Sequence, residues 1–177
     1  MSERPPPPRT CCEFERRIPD GDNMERDVCA KCGHVHYVNP KIVVGAVCSW
    51  YGRILLCRRA IEPRKGFWTI PAGFMEERET PAEGAMREAF EEATARIEID
   101  RLLAVYAVPR ISQVQLIFRA KLAGGEFAPG TESLETALFS WEEIPWSELA
   151  FPSVHWALNH HRESDGRHDF APFGNPA

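Results

Sequence analysis

From Lys41 onward, apolar runs of strand length alternate with short polar breaks. Residues 41–50 (KIVVGAVCSW) and 53–59 (RILLCRR) are nearly continuous apolar runs flanking Tyr51-Gly52, a pair suited to a tight hairpin turn. Residues 67–74 (FWTIPAGF) form a third, shorter run. Further on, residues 95–108 and 114–122 read as strands around a break at Pro109 to Gln113, and Leu138 to Trp141 as another. Two segments carry the helical period instead. One spans Thr80 to about Thr94, and the other covers Pro152 to Arg162. Strands before and after one long helix, then a second helix, predict a single α/β sandwich.

The first helix is the better specified. Thr80 suits the N-cap, Pro81 the first helical position and Glu83 the acid of a capping box. At about 100° per residue, Ala85, Met86, Ala89, Phe90 and Ala93 fall on one apolar arc, and Glu88, Glu91 and Glu92 on another facing away from it. Carboxylates crowded on one helical face repel each other. A cation is the natural compensation, and oxygen-only ligands select a hard ion, Mg²⁺ or Mn²⁺.

The 177 residues include 44% hydrophobic ones, enough for one globular domain with a small accessory module. The net charge of −5 argues against tight, nonspecific binding to nucleic acid and leaves an anionic substrate in need of a metal. No apolar run approaches the roughly 20 residues of a membrane span, and MSERPPPPRT has no signal-peptide core, so a cytoplasmic location is expected. The six cysteines then read as thiols or metal ligands, with Cys48 and Cys57 as small residues buried in strands.

Residues 1–10 hold a four-proline run expected to be extended and flexible. Residues 11–40 form a short polar unit. Within it, Cys29-Ala-Lys-Cys32-Gly33 has the form of a zinc knuckle, preceded by Cys11-Cys12, which are adjacent instead of two apart. Two readings stay open: a structural zinc held by Cys11, Cys12, Cys29 and Cys32, with His34 or His36 completing the set, or a ribbon kept by packing alone.

Gly73, Glu79 and the run Arg87-Glu88-Ala89-Phe90-Glu91-Glu92 are separated by five and seven residues, and this pattern closely resembles the Nudix box of the Nudix hydrolases. The chain departs from the box at Thr94, where the family has glycine, and at Ala95, where it has an aliphatic residue. The resemblance spans roughly Val28 to His161. It implies an α/β/α sandwich with a mixed sheet over residues 41–163, a zinc-ribbon-like module over 11–40 and a tail at 164–177. It implies further that Glu88, Glu91 and Glu92 bind the metal, with a main-chain carbonyl near Ala72 or Gly73, and that Glu79 holds Arg87 in a salt bridge. Glu132 and Glu135 are candidates for a general base, each equally readable as a surface-loop acid.

Family members cleave a nucleoside diphosphate linked to another group, and many pair as homodimers. The segments GFWTIPAGF, FAPGTESLE and EIPWSELAF resemble the branch acting on ADP-ribose and FAD. NADH pyrophosphatases follow the box with Ser-Gln-Pro-Trp-Pro-Phe-Pro, where this chain has Val-Pro-Arg-Ile-Ser-Gln-Val at Val108 to Val114. Phe67 and Trp68 would stack on a flat base, or belong to the core. Arg58, Arg59 and Arg110 would fork onto phosphate, or merely be solvated.

Overall fold

The computed structural model describes residues 13–176, which leaves Cys11, Cys12 and the proline run outside the described residues. Two compact units divide the chain, residues 1–39 and 40–177. In the first, β1 (Phe14–Arg17), β2 (Arg26–Cys29) and β3 (Val35–His36) form a small antiparallel sheet in that order. Asp22 closes the β1–β2 turn. Its carboxylate accepts from the Asn23 and Met24 N–H groups at 2.7 and 3.1 Å and from Arg26 at 3.1 Å, and the bond from Arg26 does most to hold its pKa below the usual value. Cys29 is buried, whereas Cys32, His34 and His36 are exposed, and among the described residues no three metal-binding side chains converge.

The second unit is built on a seven-stranded mixed sheet. β4 (Lys41–Trp50), β5 (Arg53–Arg59), β8 (Ile97–Val108), β9 (Gln113–Leu122) and β10 (Ser133–Phe139) run in the order β10-β5-β4-β9-β8, with β6 (Trp68–Thr69) paired to β5 and β7 (Ala72–Phe74) to β4. Only the β4–β9 pairing within this sheet is parallel. The β4–β5 hairpin turns through Tyr51 and Gly52, both at positive φ, as the two-residue turn demands. The β10 strand is longer and begins earlier than the apolar pattern of Leu138 to Trp141 predicts. Its first half is polar and irregular at Ser133–Glu135, and Trp141 already belongs to a 3₁₀ turn.

β4 and β5 are apolar on both sides because both faces of the sheet are covered. Helix α1 (Pro81–Ala93) lies on one face, over Val44, Ala46 and Cys48, and α2 (Pro152–Glu163) on the other, over Val47, Tyr106 and Ile117. The capping box at Thr80 and Glu83 is formed as the sequence predicts.

The rotation of α1 is not as predicted. Ala85, Ala89 and Ala93 are fully buried, but Met86 and Phe90 are 38% and 52% exposed, while Glu88 and Glu92 are only 8% and 6% exposed. Small alanines allow close contact with the sheet. The helix therefore rolls toward its carboxylates and leaves the bulky side chains outside.

Residues 164–176 do more than trail from α2. Phe173 N–H donates to Leu103 O and its carbonyl accepts from Val105 N–H, both at 2.9 Å, while the Asn175 side chain bonds both main-chain groups of Ala107. Phe173 also stacks on His160 at 4.3 Å. Arg119 ties the segment down by donating to Ser164 O and Arg167 O. No helix among the described residues is long and apolar enough to cross a membrane.

Candidate active site

Strand β7 passes close to α1 at Gly73. A Cβ at this position would overlap both carboxylate oxygens of Glu88, so a side chain here would push that carboxylate out of its place. One residue earlier, Ala72 N–H donates to Glu92 Oε2 at 3.0 Å. The two inward-rolled glutamates are thus pressed against the backbone of the preceding loop.

Arg87 fastens that loop to the helix. Its guanidinium forks onto Glu79 at 2.9 and 3.0 Å, donates to Phe74 O at 3.0 Å, and reaches Glu88 and Glu91 at 2.8 and 2.9 Å. Glu79 Oε1 accepts in addition from Glu76 N–H at 2.7 Å. The bond from Arg87 is the main cause of the lowered pKa of Glu79. Glu88 and Glu92 shift the other way. Burial raises both, Glu92 to about 8, against the opposing bond from Ala72 N–H.

Glu88, Glu91 and Glu92 are oxygen donors only, and two of them are carboxylates that burial makes costly to ionise. That set suits a hard divalent cation, whose charge would offset the cost. Among the described residues no three acidic side chains converge on one point, and Arg87 Nη1 takes one oxygen each from Glu88 and Glu91.

These groups open onto a cavity of about 860 Å³ that also takes in Arg59, Arg110 and Glu132. Arg59 is held at the wall by donating to Pro63 O at 2.8 Å and by lying over the Phe151 ring at 5.2 Å, and its charge opposes the rise in the Glu92 pKa. The loop bearing Glu132 is locked onto the end of α1. Ala128 N–H and Gly130 N–H donate to the carbonyls of Ala93 and Glu92 at 2.8 and 3.0 Å, and a Cβ at Gly130 would overlap the Glu91 carbonyl oxygen.

Four expected contributors lie elsewhere. Trp68 is 6% exposed and packs edge-on against Phe139 at 5.0 Å, so it is a core residue closed to any ligand. Phe67 does not line the cavity and lies under Arg64 at 5.1 Å. Arg58 donates to Gly66 O at 2.9 Å and approaches Glu135 to 3.6 Å, which turns both away from the cavity; Glu135 is a strand residue in β10, not a loop acid. In their place the cavity is lined by Phe151 and Trp156 of the α2 start and by Gln113 and Gln115 of β9. The glutamines did leave a signal: two uncharged polar residues at two-residue spacing at the start of a doubly covered strand.

The NUDIX domain family matches residues 39–159, and the Nudix N-terminal zinc-ribbon family matches residues 8–38. The chain belongs to the Nudix hydrolase family. A crystal structure of a Nudix hydrolase from Nitrosomonas europaea is 48% identical, covering 94% of this chain and 97% of that one with a TM-score of 0.88. Among curated relatives, an ADP-ribose pyrophosphatase from Methanocaldococcus jannaschii is 32% identical over 65% of this Nudix hydrolase and 69% of its own length. An NAD-capped RNA hydrolase, NudC, from Chromobacterium violaceum is 28% identical over 75% of this chain and 50% of its own length.

Proposed function

We propose that this Nudix hydrolase cleaves the diphosphate bond of a nucleoside diphosphate derivative, ADP-ribose or FAD, and releases AMP. The observation that carries this reading is that one cavity is lined by the carboxylates Glu88, Glu91 and Glu92, by Arg59 and Arg110, and by the rings of Phe151 and Trp156. Phosphate chemistry and room for a flat base are joined in about 860 Å³, a size suited to a whole nucleotide derivative. The relative named an ADP-ribose pyrophosphatase supports the same substrate class.

Mg²⁺ or Mn²⁺ held by Glu88, Glu91 and Glu92, with a carbonyl near Gly73, would neutralise the diphosphate and acidify the attacking water. Arg59 and Arg110 steady the phosphates by forked hydrogen bonds. Glu132 serves as general base: water oxygen adds to phosphorus, its proton passes to the carboxylate, and the bridging P–O bond breaks. Arg87, engaged by Glu79, keeps loop and helix in register. The N-terminal ribbon holds a structural zinc, and the protein works as a cytoplasmic homodimer.

The relative named an NAD-capped RNA hydrolase favours a second reading, NADH or an NAD-like cap as substrate. The absent NADH-type segment at Val108 to Val114 weighs against it. Incubation with ADP-ribose, FAD, NADH, NAD⁺ and diadenosine polyphosphates plus Mg²⁺ or Mn²⁺, with chromatography of the products, separates them. AMP formed with the highest kcat/KM from ADP-ribose or FAD is expected. A clear preference for NADH establishes the second reading, and no turnover of any compound leaves a nucleotide-binding regulator.

A further inference from the structure

Beyond the carboxylates, the cavity follows the face of the sheet that turns toward α2. Gln113 and Gln115 share that face of β9 with Ile117, and all three line the cavity. Gln115 pairs in register with Val43 on β4 and with Tyr106 on β8. Its amide nitrogen makes a long contact of 3.5 Å with Gln113 Oε1. Among the described residues neither side chain has another hydrogen bond, which leaves Gln115 Oε1 and one of its N–H groups free.

An aromatic surface is fixed beside this amide. Tyr106, the cross-strand neighbour of Gln115, is fully buried, bonds His160 Nδ1 at 2.7 Å and holds the Trp156 ring edge-on at 5.4 Å. Val43 pairs with Gln115 on one side and Phe74 on the other, so Gln115 stands two strand spacings, about 10 Å, from the residue that follows Gly73. Gln115 and the glutamates that press on Gly73 thus line one cavity at a separation set by the strands between them.

We infer that Gln115 reads the edge of an adenine seated against Trp156, with Gln113 fixing the direction of its carboxamide. The inference rests on a nucleoside diphosphate derivative occupying the cavity. A carboxamide offers one acceptor and one donor in the geometry that meets adenine at two points. Hypoxanthine carries a carbonyl where adenine has its amino group. To match it, Gln115 must turn over and give up its contact with Gln113. Stacking on the indole adds affinity without choosing between the two bases.

The test is calorimetric titration of the full chain with AMP and with IMP, which needs no turnover. The unaltered protein should bind AMP on the order of tenfold more tightly than IMP. Gln115→Leu should weaken AMP and bring the AMP-to-IMP ratio near one, while Gln113→Leu should retain most AMP affinity but narrow the ratio. An unchanged ratio in Gln115→Leu at an unchanged melting temperature overturns the inference, as does equal binding of AMP and IMP by the unaltered protein. If Gln115→Leu does not fold, Gln115→Asn, whose shorter amide falls out of reach, is held to the same two outcomes. Selective AMP binding by a protein that cleaves nothing would sink the hydrolytic reading and leave this one standing.

Discussion

At the scale of single residues, the site is a contest between burial and charge. Glu92 is nearly covered by protein, and its ionised form is favoured by Ala72 N–H and by the charge of Arg59. Glu92→Gln should therefore remove nearly all hydrolysis, a fall of more than about a hundredfold under saturating Mg²⁺, while the melting temperature stays level or rises. Retention of most of the rate would count against the role given to this carboxylate. Glu79→Gln and Arg87→Ala should be less than additive in a double-mutant cycle on rate, since each breaks the same fork; additivity would mean the fork does not matter. Gly130→Ala should cost about 10- to 100-fold in kcat by displacing Glu132, and should add little to Glu132→Gln. A full additional loss in the double variant would show that Gly130 acts on something other than Glu132.

Elements carry costs of their own. Helix α1 ends with Thr94 at φ 51°, a left-handed conformation that burdens a β-branched residue, and Ala95 N–H closes the end on Ala89 O at 3.2 Å. Thr94→Gly should stabilise the protein by about 1 kcal/mol in chemical denaturation, with activity unchanged. Near the end of α2, burial chiefly, and then the charge of Arg119, push His161 down to about 4, and among the described residues its Nδ1 has no partner. The folded protein resists protonating it, so between pH 6.5 and 4 the unfolded chain binds the extra proton. Stability should fall by up to about 3 kcal/mol as pH drops through that window, and His161→Phe should flatten the fall.

The sequence disclosed most where structure is local. The capping box of α1 and the hairpin at Tyr51-Gly52 follow from neighbouring residues, and both are present. What depended on distant packing was hidden. Trp68 was readable as a stacking ring or as core, and its packing against Phe139 makes it core, so Trp68→Ala should cost about 3–5 kcal/mol of stability before any effect on KM is seen. The arc of Met86 and Phe90 was misjudged because apolar periodicity weighs bulk, whereas the sheet accepts the three alanines and draws Glu88 and Glu92 in after them.

On the scale of the whole molecule, the two units invite separate measurements. About one zinc per chain is expected by elemental analysis, and Cys29→Ser with Cys32→Ser should release it; a metal-free native protein would point to a ribbon held by packing. Light scattering should give twice the mass of one chain if the homodimer forms. The tail, finally, bears on how the protein is handled. Phe173 and Asn175 occupy hydrogen-bonding groups along β8, the last strand of the sheet, and they lie beyond the family match that ends at residue 159. Cutting the chain at that match would bare a long strand margin able to recruit other chains, so a shortened protein should precipitate or form fibrils, and a purification tag belongs at the opposite end.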